Sequence, residues 1–275
     1  MIDEILMRSP PFCEDISSGR NVKAKGDKTL YDLRNIRTMT TEENKVEFRG
    51  TSLDLISVDD TFYFRCTKCG KCCKERDDII LSPYDLYRMA KYLGKEIEDI
   101  INSYTRWHIG ESSKLPVVMM RMRGEKRTCP FLDKHKCRIH EAKPAVCALF
   151  PLGRIAQENG DIRYLIQPIF CGGHDKRQTV REWIAEFGLE ESEAWFRTWQ
   201  ETIVPLVRRV NEIYVKVSEM VMHQLEEVLF ITIYLAYSMD EPIIPQFQRN
   251  IAKMDEMLTC LEELLEENDT REEKD

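Results

Sequence analysis

The segment FRCTKCGKCCKERDD places Cys66, Cys69, Cys72 and Cys73 within eight consecutive positions. Few architectures tolerate such crowding. Thiols this close are joined as disulfides, packed unreacted into a core, or gathered around inorganic ions, and each choice dictates a different fold. The opening stretch, MIDEILMRSPPF, carries acidic residues early and does not read as a secretion signal. The longest apolar run, Val228 to Met239, covers twelve residues and includes Thr232 and Ser238. A membrane span needs ~20 residues, so this run is expected to be a buried helix. The expectation is a cytoplasmic protein with no membrane association. Thiols stay reduced in that compartment, and ten cysteines there point to metal or redox chemistry rather than a disulfide framework.

The remaining cysteines continue the pattern. Cys66, Cys69 and Cys72 repeat the Cys-x-x-Cys spacing twice, so three sulfurs can converge, with Gly70 relieving the turn. Cys73 is adjacent to Cys72, so its side chain diverges toward a second centre or another face of a larger one. Cys129, Cys137, Cys147 and Cys171 follow in a compact series, giving eight thiols that divide into two sets of four. Four thiolates suit tetrahedral zinc or an iron–sulfur cluster. The triplet spacing is that of the bacterial ferredoxin run, although no Cys-x3-Cys-Pro follows Cys72. His140 and His174 sit beside cysteines and are candidate ligands, with a supporting role favoured. His108, His135 and His223 are expected to be structural or exposed, and Cys13 and Cys260 to be ordinary thiols.

Charge explains the residues between the sulfurs. Arg65, Lys68, Lys71, Lys74 and Arg76 interleave with the first group against Glu75 alone. Lys134, Lys136, Arg138 and Lys143 surround the second. Cations lower thiol pKa values and offset the net negative charge of a thiolate-bound centre. The net charge of −8 says little about partners, because Glu262 to Asp275 hold eight acidic against two basic side chains and so carry six of those charges. Nucleic acid is not the expected partner: the basic run is short, with only Tyr63 and Phe64 as aromatic neighbours. Asp77 and Asp78 could bind a cation, but a solvated loop leading into Ile79 is favoured.

The fold class expected is α+β, mainly helical: a metal-stapled cysteine-cluster domain followed by a C-terminal helical bundle. Residues 1–61 form an extension, loop-rich to about residue 40, then carrying two or three short strands over 45–65 broken at Gly50 and Asp59–Asp60. Residues 62–175 form the metal domain, 176–268 the helical region, and 269–275 an acidic tail. Ser82, Pro83, Asp85 and Gly94 punctuate a helix that buries Leu86, Met89, Ala90 and Leu93, and a second helix covers about 96–105. Thr179 and Glu182 make a capping box. Pro205 is expected to interrupt a long helix. Beyond it, Val207, Val210, Tyr214, Val217, Val221 and Val228 form one heptad-like seam, and Phe247, Ile251, Met254, Leu258, Leu261 and Leu265 another. A self-packed antiparallel hairpin is favoured over an intermolecular coiled coil, with a protein partner on these helices as the remaining possibility.

Together, F-x-C-x-x-C-G-x-C-C, the helix from Leu81-Ser82-Pro83 to Leu93-Gly94, C-x-F-L, C-x-I and K-P-x-x-C-x-x-F-P resemble the CxxCxxCC cysteine-cluster family of zinc- or iron-chelating proteins, over about residues 62–174. The resemblance implies that Cys66, Cys69, Cys72, Cys73, Cys129, Cys137 and Cys147 are metal ligands. Cys171 before Gly172-Gly173 is similar to the family's later Cys-x-Gly. His140 and Lys143 stand where the family usually has Tyr and Arg. The family is mostly prokaryotic, and most members have no assigned reaction. Flagellin lysine-N-methylases are a similar group, so the resemblance also admits an S-adenosylmethionine-dependent enzyme. The chain itself shows no Gly-x-Gly-x-x-Gly after a strand and no Cys-x3-Cys-x2-Cys, since Arg76 occupies the last position. Three functions are therefore carried forward: an iron–sulfur protein with a redox or catalytic role, favoured; a zinc protein whose helices bind a partner; and a methylase-like enzyme. No catalytic residue is identified.

Overall fold

The computed structural model describes residues 45–48, 51–157, 160–168, 171–186, 188 and 190–272. The loop-rich start and Cys13 lie outside them. The fold is α+β and mainly helical, about 49% helix with seven α-helices and small sheets among the described residues. It divides into two compact units. The described residues up to Trp107 and from Val117 to Glu201 form one; His108–Pro116 and the residues from Thr202 form the other.

The first unit opens with the three expected strands, β1 (Lys45–Phe48), β2 (Thr51–Ile56) and β3 (Thr61–Arg65). Their sheet partners come from far along the chain. β2 pairs antiparallel with β10 (Ile162–Ile166), which pairs with β9 (Leu152–Ala156), giving the order β1-β2-β10-β9. β3 pairs with β11 (Gly173–Thr179), Gly173 standing opposite Arg65 and Thr179 opposite Thr61. In β3 the alternation is strict: Phe62 and Phe64 are buried while Thr61, Tyr63 and Arg65 are exposed. A strand with one wet face presents side chains this way. β4 (Ile80–Leu81), β5 (Thr105–Ile109) and β6 (Pro116–Met120) form a three-stranded sheet in the order β4-β6-β5. β7 (Leu132–Asp133) and β8 (Lys136–Cys137) form a short hairpin.

The helices of this unit begin where the sequence punctuates them. In α1 (Pro83–Leu93), Ser82 accepts from the Asp85 amide, and the Asp85 carboxylate accepts from the Ser82 amide, a closed capping box. Gly94 ends the helix in the left-handed conformation (φ 61°). Leu86, Met89 and Ala90 are fully buried; Leu93 is partly so. α2 (Ile97–Tyr104) and the one-turn α3 (Ala145–Leu149) follow. α4 (Val180–Glu186) starts on the expected Thr179/Glu182 box, with reciprocal bonds of 2.7 and 3.1 Å. The core gathers Phe62, Phe64, Leu149, Phe150, Leu152, Tyr164, Val180 and Trp183. Phe64 meets Trp183 edge-on at 5.5 Å and Phe150 at 6.0 Å, the arrangement aromatic quadrupoles favour. The buried Trp183 indole donates to the Leu149 carbonyl.

The second unit contains the C-terminal part of α5 (Glu190–Tyr214), then α6 (Glu219–Phe230), a π-helical turn (Ile231–Leu235) and α7 (Ile243–Glu272). Three expectations change here. Pro205 lies inside α5 rather than breaking it. It is exposed, as is Glu201, whose carbonyl loses its partner to the proline ring and can be hydrated instead. The first valine seam is not one stripe. α5 ends at Tyr214, and Ser218 caps a new helix, so Val210 is buried but Val217, Val221 and Val228 only partly. α6 buries Leu225 and Leu229 instead. The apolar run from Val228 passes through the π turn and leaves helix at Ala236. Among the described residues no helix is long and apolar enough to cross a membrane.

The last seam is buried at four of its six positions, with Ile251 and Leu265 only partly buried. Phe247, Met254, Leu258 and Leu261 are buried on α7, joined by Ile243, Gln246 and Asn250. The two amides are buried because they have work to do at the chain turn. Gln246 accepts from the Ser238 amide and donates to the Ser238 and Glu241 carbonyls, and Asn250 donates to the Ala236 carbonyl. Arg209 of α5 forks onto Glu262 and Asp255 of α7. The helices thus find neighbours within the chain.

Candidate metal centre

Secondary structure delivers the eight thiols from five places. β3 ends at Arg65, so Cys66 emerges at its end with Phe64 buried behind it. The Arg65–Gly173 register brings Cys171 to the same edge. Gly172 makes that approach possible: at φ +81°, a Cβ there would lie 2.5 Å from the Phe64 ring and 2.8 Å from the Arg65 carbonyl. After Cys69, Gly70 turns left-handed (φ 71°) into a 3-10 turn, Lys71–Cys73. A Cβ on Gly70 would press on Leu132 at 3.1 Å and the His135 carbonyl at 3.3 Å. The Cys129 amide donates to the Cys73 carbonyl (2.9 Å), bringing the second cysteine series onto the first. β8 carries Cys137, and α3 carries Cys147. The Asp85 carboxylate accepts from the Ala145 amide at 2.7 Å, so the cap of α1 also holds the start of α3.

All eight thiols, Cys66, Cys69, Cys72, Cys73, Cys129, Cys137, Cys147 and Cys171, line one cavity of about 380 Å³. Spacing alone divides them into two sets of four; the structure opens them onto a common space. Its apolar wall includes Phe64, Met120, Phe131, Ile139 and Trp183, and its polar wall Lys68, Lys136, Lys143, His135 and His140. Cys66 is exposed, and the other seven are partly buried. Among the described residues no three His, Cys, Asp or Glu side chains are close enough to hold a single metal ion. Two pairs of thiols, Cys69 with Cys171 and Cys72 with Cys73, share hydrogen bonds.

The local electrostatics show which sulfurs are ready to be thiolates. Burial pushes the Cys69 thiol up, but donation from the Lys71 amide, the Thr67 hydroxyl and the Gly172 amide outweighs it, so its pKa falls. Cys72 is lowered to about 6, chiefly by the Cys73 thiol donating to it, with Lys143 and Arg76 assisting against burial. Cys73 keeps the shared proton, its thiol pushed far up by the same bond and by burial. Burial raises Cys129, Cys137 and Cys147, and takes Cys171 to about 12. The Phe131 and Leu132 amides oppose the rise at Cys129, as the Ile139 amide does at Cys137. An apolar thiol pocket favours neutral sulfur until a cation enters and displaces the protons. Lys143 and His140 are both lowered, first by burial.

The other candidates separate cleanly. His140 lines the cavity; His174 is exposed and does not. His135, expected to be structural or exposed, is exposed and also lines the cavity. Cys260 sits on α7 and does not line the cavity. Asp77 and Asp78 form ion pairs with Arg127 and Arg76, and Arg65 pairs with Asp175. Sequence reasoning took Asp85 only as a first-turn acid, because its second partner lies sixty residues away.

Residues 65–172 match the family model CxxCxxCC, described as "putative zinc- or iron-chelating domain". The match takes in every thiol of the cavity, from Cys66 to Cys171. The chain therefore carries a metal-binding cysteine-cluster domain. No curated protein and no solved structure matches it.

Proposed function

We propose that this domain holds one or more iron–sulfur clusters, with Cys66, Cys69, Cys72, Cys73, Cys129, Cys137, Cys147 and Cys171 as the ligand set, in a redox or catalytic role. The observation that carries this is the thiol lining itself: eight sulfurs face one cavity of about 380 Å³, and backbone amides are directed at three of them, Cys69, Cys129 and Cys137. Tetrahedral zinc, ~2.3 Å from each sulfur, needs its sulfurs about 3.8 Å apart. In a 4Fe–4S cluster each of four thiolates binds a separate iron, so its ligands stand further apart around a larger volume, and eight thiolates match two four-cysteine clusters. The donor set fits: all-sulfur ligation, amides directed at Cys69, Cys129 and Cys137, and cations on the rim.

When bound, such a centre supplies one-electron chemistry. The chain's own residues do the rest. Amide donation to sulfur and burial against Phe64, Phe131 and Trp183 favour the more reduced or the less charged state according to their balance. Lys143, which lines the same cavity, offsets the sulfurs' charge. The test is anaerobic reconstitution with iron and sulfide. A brown protein with comparable iron and labile sulfide, and Mössbauer doublets of thiolate-bound iron, is the expected result. A colourless protein holding stoichiometric zinc and no sulfide overturns it and leaves the closed zinc sites as the reading.

A further inference from the structure

A second cavity, of about 370 Å³, adjoins the thiol cavity and shares Cys66, Lys68, His140, Glu141 and Lys143 with it. Its own wall is supplied by Arg88, Ala148 and Glu186. Two features set it apart from the first. It contains one sulfur, that of Cys66, and Cys66 is the exposed member of the eight. Apart from His140 and Ala148, the rest of its lining is charged. Lys68, Arg88 and Lys143 face Glu141 and Glu186, and Glu186 is already engaged by Lys176 at 2.8 Å. The balance is cationic.

The cations are held in place rather than merely present. Arg88 projects from α1, lies against the Tyr84 ring at 5.6 Å, and is oriented by donating to the Glu141 carbonyl at 2.8 Å. A guanidinium has five donors, so that bond leaves further N–H groups for another acceptor. Lys68 joins the lining from the Cys66–Cys69 turn, where its backbone is left-handed (φ 53°). Forked and point donors around a small concave space are the usual means of holding a carboxylate or phosphate.

We propose that this second cavity binds a small oxyanion, a carboxylate- or phosphate-bearing molecule, and seats it against the Cys66 edge of the thiol cavity. Arg88 supplies the planar fork, and Lys68 and Lys143 supply point charges. This gives the buried thiol lining one reachable edge, and places a charged molecule there. The inference rests on the pocket's own side chains. It does not depend on which metal the thiols hold, so its failure and the failure of the iron–sulfur reading are separately visible.

The test is calorimetric titration of the metal-loaded full chain at low ionic strength, with inorganic phosphate in one arm and citrate in the other. Saturable one-site binding of at least one probe is expected, weakened at least tenfold in both Arg88→Ala and Lys68→Gln at matched metal content. Circular dichroism on each variant checks that it is folded; if Arg88→Ala is not, Lys68→Gln alone decides. Absence of saturable binding, or affinity unchanged in the folded variants, overturns the proposal. The visible or paramagnetic resonance spectrum is recorded in the same titration. A change that saturates with binding supports seating at Cys66, and binding that leaves the spectrum unmoved overturns it. For zinc-loaded protein, the equivalent readout is the Trp183 emission, isolated in a chain whose Trp107, Trp195 and Trp199 are replaced by phenylalanine, since Trp183 lines the thiol cavity.

Discussion

The thiol-bearing unit and the C-terminal helical unit close their cores by opposite means. The helical unit is sealed by side chains alone. Phe247, Leu258 and Leu261 are buried to 1% exposure or less, and Gln246 and Asn250 satisfy the backbone where the chain turns. The thiol-bearing unit has an aromatic core around Trp183, but beside it lies an open cavity rimmed by eight sulfurs and several cations. The lesson is that burial closes one unit, while in the other burial prepares a site and a bound ion completes it.

Metal removal should break the comparison most visibly. Structural thiolate–metal sites contribute roughly 10 kcal/mol or more. Chelation under reducing conditions is expected to strip hydrogen-exchange protection from residues 62–175 while Phe247–Leu261 stay protected. Equal loss in both units would show that the difference drawn here is false. Next in size is Phe247→Ala, which empties a fully buried site in the helical unit and should cost about 3–5 kcal/mol. Denaturant unfolding should register the loss, and metal content per folded chain should not change. If metal binding fell in proportion, the helical core would be part of the site.

Gly172→Ala tests the junction of strand and thiols. Its Cβ would meet Phe64 at 2.5 Å and the Arg65 carbonyl at 2.8 Å, at a φ that L-residues rarely adopt. Strain and overpacking together should cost about 2–4 kcal/mol. The sharper readout is metal stoichiometry, which should fall because the Gly172 amide donates to Cys69. Thermally destabilised protein with full loading would sink that link. Smallest is Thr179→Ala, which removes one bond of the α4 cap and should cost about 1 kcal/mol. A melting-temperature drop of a few degrees, with unaltered spectra of the loaded centre, is expected.

Much of this was legible in the residues, and the reasons are local. Ser82 with Asp85, and Thr179 with Glu182, announce helix starts because donor and acceptor are three residues apart. The alternation from Lys45 to Arg65 announces strands because each residue's face is set by its neighbours. The valine seam from Val207 to Val228 misled for the complementary reason: periodicity records phase but not the turn at residues 215–218 that resets it. Arg88 carries no sequence signal at all. It is one more charged residue on an amphipathic helix until His140, Glu141 and Lys143 are placed opposite.

The sequence by itself determined that the chain would gather thiols among cations, and which local turns would carry them, because Cys-x-x-Cys spacing and glycine are short-range constraints. Only the tertiary structure decided that the β3–β11 pair brings Cys171 to the first cysteine series, where it hydrogen-bonds Cys69, that Asp85 ties the two helix starts together, and that all eight sulfurs open onto one cavity. Those contacts join residues sixty to more than a hundred positions apart. Their geometry depends on strand register and on the packing of Phe64 against Trp183, and no local spacing encodes either.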